Sequence, residues 1–366
     1  MIDRDELTAW LRLLETPRIG RDSARRLLTA FGSPQAVFEA SQAELREVVG
    51  GLSAALGEPP VALASLVKAT WQWLAEGGQR AVVTLGDRLY PAALLETADP
   101  PLLLYLQGRA ELLAASSVAV VGSRNPTTQG VSNARSFAQH LSQAGLSIVS
   151  GLALGIDGAA REGALEEVGS TIAVVGTGLD RVYPQRHREL AHRIAVGGLM
   201  ASEYSLGTPP LAENFPQRNR LIAGLSRGTL VVEAAVQSGS LITARVAAEC
   251  GRDVFAIPGS IHSPQSRGCH ALIKQGAKLV DAAQNILEEL RLSVPLPQAE
   301  DRPGVVAAEA PDALLQVLGY DPVTLDVLVE RTGQAPAELR CRLLQLELAG
   351  KVARLPGQLF QRVDRA

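Results

Sequence analysis

The chain has 366 residues, of which 46% are hydrophobic and 4% aromatic, and its formal net charge at pH 7 is −3. This length exceeds one ordinary hydrophobic core and predicts two or three domains. The slightly negative charge excludes a uniformly basic nucleic-acid binder, so any nucleic-acid site must be a local patch.

Cysteine usage and hydropathy bear on the cellular compartment. Cys250, Cys269 and Cys341 are far apart and form no CxxC pair, which predicts neither a zinc site nor a disulfide framework. The histidines also lack metal-ligand spacing, so no metal is expected. The first residues are charged, and no apolar run of about 18 residues occurs. We therefore expect no signal peptide, no membrane span and a cytoplasmic protein.

Residues 1–80 show the spacing of amphipathic helices. Leu7, Leu11 and Leu14 recur at helical intervals. A turn at Gly20 before a second apolar helix resembles half of a helix-hairpin-helix, in which a glycine turn exposes backbone N–H groups to a phosphate. The same pattern fits a helical packing module, and both interpretations stay open.

Residues 81–291 alternate short apolar runs with helix-length segments such as 131–144 and 240–251. This alternation is typical of βαβ units on a mostly parallel sheet. Ligands of such sheets bind beyond the carboxyl ends of the strands. The predicted strands are 81–84, 102–106, 117–121, 146–150, 171–175, 199–202, 229–233 and 253–257.

Residues 292–312 contain four prolines and few large apolar residues, which predicts a linker. Residues 313–366 begin with helical apolar stripes. They end in two short strands, 352–355 and 359–363, that predict a hairpin wing.

The helix predicted before this hairpin, 335–349, has a balanced charge. It carries Arg340 and Arg342 against Glu338 and Glu347. A contact with a partner or an accessory role is favoured over duplex DNA, although duplex binding by such a helix stays open.

Several strand ends in residues 81–291 suit a phosphate. The strand 117–121 leads directly into Gly122, Ser123 and Arg124. Glycine lets a phosphate approach the backbone, serine donates a hydroxyl, and arginine supplies a bidentate cation.

Similar chemistry recurs further along the chain. Ser150 and Gly151 end another strand, and Ser238, Gly239 and Ser240 open a helix whose free N–H groups suit a phosphate.

A predicted helix starting near Pro216 carries a pair of arginines. Arg218 and Arg220 flank Asn219, with Phe215 close by, and they favour an anion bound between them. Together these elements predict a groove of phosphate ligands at the carboxyl edge of the sheet.

The region lacks the signatures of the common nucleotide enzymes. It contains no GxxxxGK[ST] loop, and the glycines at 176 and 178 have no third partner at the dinucleotide position. No Ser-His-Asp or Cys-His set is apparent, so we expect a binding protein without a cofactor and not an enzyme. Two alternatives stay open. One is a nucleotide-processing enzyme of the phosphoribohydrolase type, with Glu233 or Asp157 as its acid, and the other is a winged-helix regulator that binds duplex DNA.

The motifs, in this order, resemble the DprA/Smf family. Within 81–291 the resemblance is carried by VVGSR, SGLALGID, TIAVVGTGLDRVYP, SEY, FPQRNRLIAGLS, EAAVQSGSLITA, PGS and ALIKQGA. The C-terminal LLQLELAGKVARLPGQLFQRV resembles the family's winged-helix domain.

The resemblance implies an α/β chain with an extended Rossmann-like fold and a parallel-rich sheet. It also implies an N-terminal helical SAM-like domain at 1–80 and a C-terminal winged-helix domain at 313–366. Where the family usually has histidine, four residues after Asp157, this chain has Arg161.

The resemblance further implies a function in natural transformation (competence) and DNA recombination. The family's proteins are homodimers that bind and protect single-stranded DNA. They load RecA onto it, including DNA coated by single-strand-binding protein. The implied pocket residues are Gly122, Ser123, Arg124, Ser150, Gly151, Arg218, Asn219, Arg220, Ser238, Gly239 and Ser240, with Phe215 as a stacking or packing residue.

Overall fold

The structure is a computed structural model that describes residues 2–77, 79–292, 312–320, 322–355 and 357–363. The predicted linker, 292–312, lies outside the described residues except for its first and last positions. Among the residues described, none of the helices combines the length and the apolar character that crossing a membrane requires.

The N-terminal region is helical, as the apolar spacing predicts. Asp3 caps the first helix by accepting from the Glu6 N–H, and the second begins directly after Gly20. The Trp73 ring packs edge-on against Tyr105 of the sheet, with 6.0 Å between centroids, so helices and sheet share a core. The helices are α1 (Arg4–Glu15), α2 (Arg21–Phe31), α3 (Pro34–Glu39), α4 (Gln42–Val49) and α5 (Leu63–Ala75).

All eight predicted strands of the central region are present, and a short ninth strand was not predicted. Neighbours run antiparallel at β1–β2 and β2–β6 and parallel elsewhere, in the order β1-β2-β6-β5-β4-β3-β7-β8-β9, which confirms a mostly parallel sheet. The strands are β1 (Arg80–Thr84), β2 (Leu103–Gly108), β3 (Ser117–Val121), β4 (Ser147–Ser150), β5 (Thr171–Val174), β6 (Leu199–Ser202), β7 (Gly228–Val231), β8 (Asp253–Ala256) and β9 (Lys278–Leu279).

Helices cover both faces of this sheet. Val118 and Val120 of β3 pack into one apolar cluster, and Ala119 and Val121 pack into another on the opposite face. Burial on both sides explains why β3 is an unbroken apolar run and does not alternate with polar residues. The helices are α6 (Ala92–Leu95), α7 (Thr128–Gln143), α8 (Ile156–Ala164), α9 (Arg188–Gly197), α10 (Asn214–Leu225), α11 (Ser240–Glu249), α12 (Arg267–Lys274) and α13 (Ala283–Glu289).

The order in which the chain adds strands to the sheet reverses at β3. From β3 it proceeds through β4 and β5 to one side, and it later returns to place β7 and β8 on the other side. β3 pairs in parallel with both neighbours, through Ala119 opposite Val149 and Val120 opposite Leu230. Crevices at such reversal points are the usual ligand sites of open α/β sheets.

The C-terminal residues form the predicted winged helix. Its core contains Leu339, Leu343 and Leu346 of the long helix, and the predicted hairpin is present with Val352 opposite Arg362. A two-residue strand that was not predicted completes a three-stranded sheet. The elements are α14 (Ala313–Leu318), β10 (Val323–Thr324), α15 (Leu325–Thr332), α16 (Pro336–Leu348), β11 (Val352–Leu355) and β12 (Leu359–Arg362).

The close crossing of α7 and α8 gives a test of the fold. A Cβ at Gly163 would overlap the carbonyl oxygen of Arg135. We expect Gly163→Ala to cost about 1–3 kcal/mol, seen as a lower thermal unfolding midpoint, because the two helices must move apart. Gly197→Ala is the control, since its Cβ would meet Leu165 Cδ1 at an ordinary 3.6 Å. Equal losses in both variants would contradict the packing described.

Candidate functional site

A groove of about 500 Å³ lies at the carboxyl ends of β3 and β7, where the chain reverses across the sheet. Nine of the twelve predicted site residues line it. They are Gly122, Ser123, Arg124, Phe215, Arg218, Asn219, Ser238, Gly239 and Ser240.

The turn after β3 forms one wall of the groove. The Ser123 N–H donates to the Glu233 carbonyl at 2.7 Å, and the Ser123 carbonyl accepts from the Ile156 N–H at 3.1 Å. A Cβ at Gly122 would lie 2.7 Å from the Ile156 Cγ1, so only glycine fits this turn. The turn leaves Arg124 exposed, and its guanidinium makes no ion pair with another described residue. The donors of Arg124 are therefore available to a ligand.

The start of α11 forms the opposite wall. The hydroxyls of Ser238 and Ser240 lie 2.7 Å apart. The first N–H groups of the helix donate within the turn, from Ser240 to the Ser238 hydroxyl at 3.4 Å and from Leu241 to the Ser238 carbonyl at 3.1 Å. Asn219 reaches across from α10, where its Nδ2 lies 3.5 Å from the Gly239 carbonyl. The free N–H groups that the sequence suggested are therefore not found at Ser240 and Leu241, and the two hydroxyls at the positive end of the helix are the groups that suit a phosphate oxygen.

The floor of the groove is a buried charged cluster. Arg218 donates to the Val174 carbonyl, and Arg161 donates from Nε to the Gly151 carbonyl at 2.5 Å. Burial lowers the pKa of Arg161 to about 9 and that of Arg218 to about 10. Burial raises the pKa of Asp157, and the two arginines oppose that shift. Two buried guanidinium groups thus act electrostatically on one buried carboxylate beneath the groove.

Arg161 stands where the family usually has histidine. The structure buries Arg161 completely and directs its Nη1 to the Thr171 hydroxyl at 3.3 Å. The charge lies under the end of the sheet and does not form part of the groove surface.

Ser150 and Gly151 do not line the groove. Ser150 is fully buried, and its hydroxyl donates to the Val120 carbonyl at 2.7 Å. A Cβ at Gly151 would lie 2.5 Å from Asp157 Oδ2 and 2.6 Å from Arg218 Nη2. Both residues therefore shape the floor without reaching a ligand directly.

Arg220 is not brought together with Arg218, although the sequence suggested that both flank one anion. Residues two positions apart on a helix point in different directions. The Arg220 guanidinium pairs with Glu203 and lies 3.3 Å from Asp99 Oδ2. Arg21 of α2 joins the same group through Asp99 at 2.7 Å, so Arg220 helps to fix the N-terminal helices to the sheet.

A second cavity of about 310 Å³ adjoins the groove and shares Arg124, Phe215 and Arg218 with it. The rings of Phe215 and Tyr183 lie 5.6 Å apart between centroids, and Tyr183 is 48% exposed. The buried Thr177 hydroxyl has no hydrogen-bond partner among the described residues. Sequence reasoning missed Tyr183, because a loop after β5 brings it to Phe215 only in the folded chain.

Sequence reasoning also missed other lining residues. Asp157 was considered only as an acid for the alternative enzyme. The remaining ones sit beside predicted motifs in sequence but carried no signal of their own. They include Asn125, Ala153, Gln237, Thr243 and Gln265.

The groove brings together cationic and hydroxyl donors. Within the described ranges, no group of three or more His, Cys, Asp or Glu side chains could hold a metal. The fold and the site thus define an α/β protein with a groove of cationic and hydroxyl side chains at the reversal point of its sheet.

The comparisons with known proteins identify the family. The family model described as DNA recombination-mediator protein A matches residues 81–291. The model described as the DprA winged helix domain matches residues 297–358. The chain belongs to the DNA recombination-mediator protein A family, which includes proteins called DprA and Smf.

Several relatives cover much of the chain. Protein Smf of Escherichia coli is 45% identical over 302 residues, which is 80% of this chain and 80% of that protein. DNA processing protein DprA of Streptococcus pneumoniae is 52% identical over 203 residues, 56% of this chain and 72% of that protein.

Solved structures agree with the fold. The X-ray structure of the Streptococcus pneumoniae protein superposes with a TM-score of 0.64 at 39% identity, over 79% of this chain and 98% of that one. DNA processing protein A from Helicobacter pylori, whose single-stranded DNA binding mode has been described, gives a TM-score of 0.54 at 32% identity. That match covers 58% of this chain and 96% of the other.

The buried cluster gives a second test. We expect Asp157→Asn to destabilise the protein by roughly 3 kcal/mol, because it leaves two buried guanidinium groups without a carboxylate. Thermal or denaturant unfolding measures the loss. Glu166→Gln is the control, because Glu166 is 79% exposed where it pairs with Arg193, and its loss should cost under about 1 kcal/mol. A full-sized loss in the control, or none in Asp157→Asn, would contradict this account.

Proposed function

We propose that this chain binds single-stranded DNA in the groove and delivers the strand to the RecA recombinase. The observation that carries the proposal is the position of Arg124. It is exposed at the mouth of the groove and has no acidic partner among the described residues, while the Ser238 and Ser240 hydroxyls at the start of α11 lie on the other side. A phosphate between them would meet a cation and two hydroxyls at the positive end of a helix.

The aromatic pair supports a preference for a single strand. Phe215 and Tyr183 lie next to the phosphate donors and leave part of the Tyr183 ring exposed. The bases of a single strand are free to stack on such rings, whereas those of a duplex are already paired. Phosphate contacts combined with a few aromatic rings are typical of sequence-independent binding to a single strand.

The two candidate acids of the alternative enzyme have other partners. The Glu233 carboxylate accepts from the Thr127 N–H at 2.9 Å and from the Thr127 hydroxyl, at the start of α7. Asp157 is buried beside Arg161 and Arg218. Asp157 lines the groove, but its carboxylate is buried with two arginines, and Glu233 is engaged at the start of α7. Binding without turnover is therefore the function we propose.

Arg124 provides the direct test. In fluorescence anisotropy with a labelled single strand, Arg124→Ala should weaken binding about tenfold, because a charge-assisted phosphate contact is lost. The dependence of log affinity on log salt should flatten by about 0.7 for each phosphate contact removed.

The matched control is Arg109→Ala at the other end of the sheet, where Arg109 pairs with Glu111 at 2.9 Å. It should bind like wild type. Wild-type protein that prefers duplex DNA, or an Arg124→Ala variant with unchanged affinity and salt dependence, would overturn the proposed groove.

Delivery to RecA rests on the family membership and needs its own assay. The chain should shorten the lag before RecA hydrolyses ATP on DNA coated by single-strand-binding protein. Arg124→Ala should restore the lag, and Arg109→Ala should not. Tight DNA binding with an unchanged lag would limit the function to binding and protection of the strand. The homodimer implied by the resemblance belongs to this proposal too, and sedimentation of the full chain measures it.

A further inference from the structure

The long helix of the winged-helix domain, α16, has two apolar faces. One face, with Leu339, Leu343 and Leu346, is buried in the domain core. The opposite face is exposed, with Leu344 at 56% and Leu348 at 82% of their full accessibility. The exposed apolar stripe consists of Ala337, Cys341, Leu344 and Leu348.

The spacing of this stripe is that of a helix-pairing seam. Its members are separated by four, three and four positions, which is the a/d repeat of a coiled coil. At about 100° per residue they share one side of the helix, opposite the buried leucines. A helix that is apolar on two opposite sides is normally covered on both.

The flanks of the stripe carry charges in a specific order. Arg340 and Glu347 border one side, and Glu338 and Gln345 border the other. Neither Arg340 nor Glu347 forms an ion pair with another described residue, whereas Arg342, outside the stripe, pairs with Asp312 at 2.9 Å. Arg340 and Glu347 are therefore available to a partner surface.

We propose that α16 pairs antiparallel with α16 of a second copy of this chain. In an antiparallel pair with twofold symmetry, the same flank of each helix meets its counterpart. Arg340 precedes the centre of the stripe and Glu347 follows it. In the antiparallel pair, Arg340 of each copy therefore faces Glu347 of the other copy. Two equivalent ion pairs would border the apolar seam.

A parallel pair would lack this match. The flank with Arg340 and Glu347 would then face the flank with Glu338 and Gln345. In that pair, the flanking residue of the second helix that lies closest to Arg340 would be the neutral Gln345. The order of charges along α16 therefore favours the antiparallel arrangement.

Duplex DNA fits this face less well. A recognition helix reads the major groove with polar and cationic side chains directed at the bases. The exposed face of α16 instead presents an apolar stripe bordered by charges of both signs. Duplex binding is thus an outcome that the test below must separate from self-association.

The seam is short, which sets the expected strength. A pair of helices of 13 residues buries less than the about 1,200 Å² of a stable protein interface. We expect weak association through α16 alone, and stronger association where another contact already holds two copies together.

The first experiment measures self-association of the full chain by sedimentation over a range of concentrations. Leu344→Glu combined with Leu348→Glu should raise the dissociation constant at least tenfold, or remove the larger species. Both side chains are exposed, so the thermal unfolding midpoint should stay that of wild type. Val168→Glu is the control, because Val168 is 78% exposed in the loop after α8 and lies outside the seam. Unchanged association in the double variant would overturn the proposal.

The second experiment reverses the charges. Arg340→Glu and Glu347→Arg should each weaken association, because like charges then face each other across the twofold axis. The two changes together should restore it. A double variant that remains weak would overturn the antiparallel pairing. So would an Arg340→Glu variant that loses binding to a duplex oligonucleotide while its association is unchanged.

A third readout separates this contact from any other contact between copies. Cys341 is exposed on the seam, whereas Cys250 is half-buried and Cys269 is buried. In a Cys250→Ser background, a short bismaleimide should join two full chains through Cys341, and Leu348→Glu should reduce the yield severalfold. Equal yields with and without Leu348→Glu would overturn the proposal.

Discussion

Two guanidinium groups buried around one carboxylate support the end of the sheet where the groove lies. Arg161 and Arg218 come from α8 and α10, on opposite faces of the sheet, and both reach backbone carbonyls at strand ends. Asp157 offsets part of the cost of burying them. Gly151 leaves room for these side chains, since a Cβ there would overlap both Asp157 and Arg218. The shape of the groove floor therefore depends on this cluster.

A second charged group connects the N-terminal helices to the same sheet. Arg21 and Arg25 of α2 form ion pairs with Asp99 at 2.7 and 2.6 Å. Arg220 of α10 forms an ion pair with Glu203 in the same group. Burial raises the pKa of Glu203, against the opposing effect of Arg220 and Arg21. Because α10 carries Arg218 on the groove side and Arg220 on this side, one helix links both charged groups. The helical region and the groove are thus connected structurally through α10.

The sequence predicted correctly those features that depend on residues close together in the chain. β3 is apolar on both faces and is followed by glycine. The position of the strand and the polar turn that follows it were therefore predictable from residues 117–124. The separation of Arg218 from Arg220 follows from their spacing on α10, since residues two positions apart on a helix point in different directions. Which of the two faces the groove was not predictable, because it depends on which side of α10 faces the sheet. The same holds for Tyr183, whose loop reaches Phe215 only through the tertiary fold. The burial of Arg161 depends on Thr171 of β5 and on Gly151, which directly follows the neighbouring strand β4.

The pairing of β3 with β7 has a consequence for the synthesis of the protein. Val118 lies opposite Gly228, so the two walls of the groove come from segments more than a hundred positions apart. The wall that contains Ser238 and Ser240 is translated long after the turn at Gly122. Contacts of such long range form late, once the intervening chain has collapsed. A nascent chain on the ribosome therefore has no complete groove until α11 has emerged.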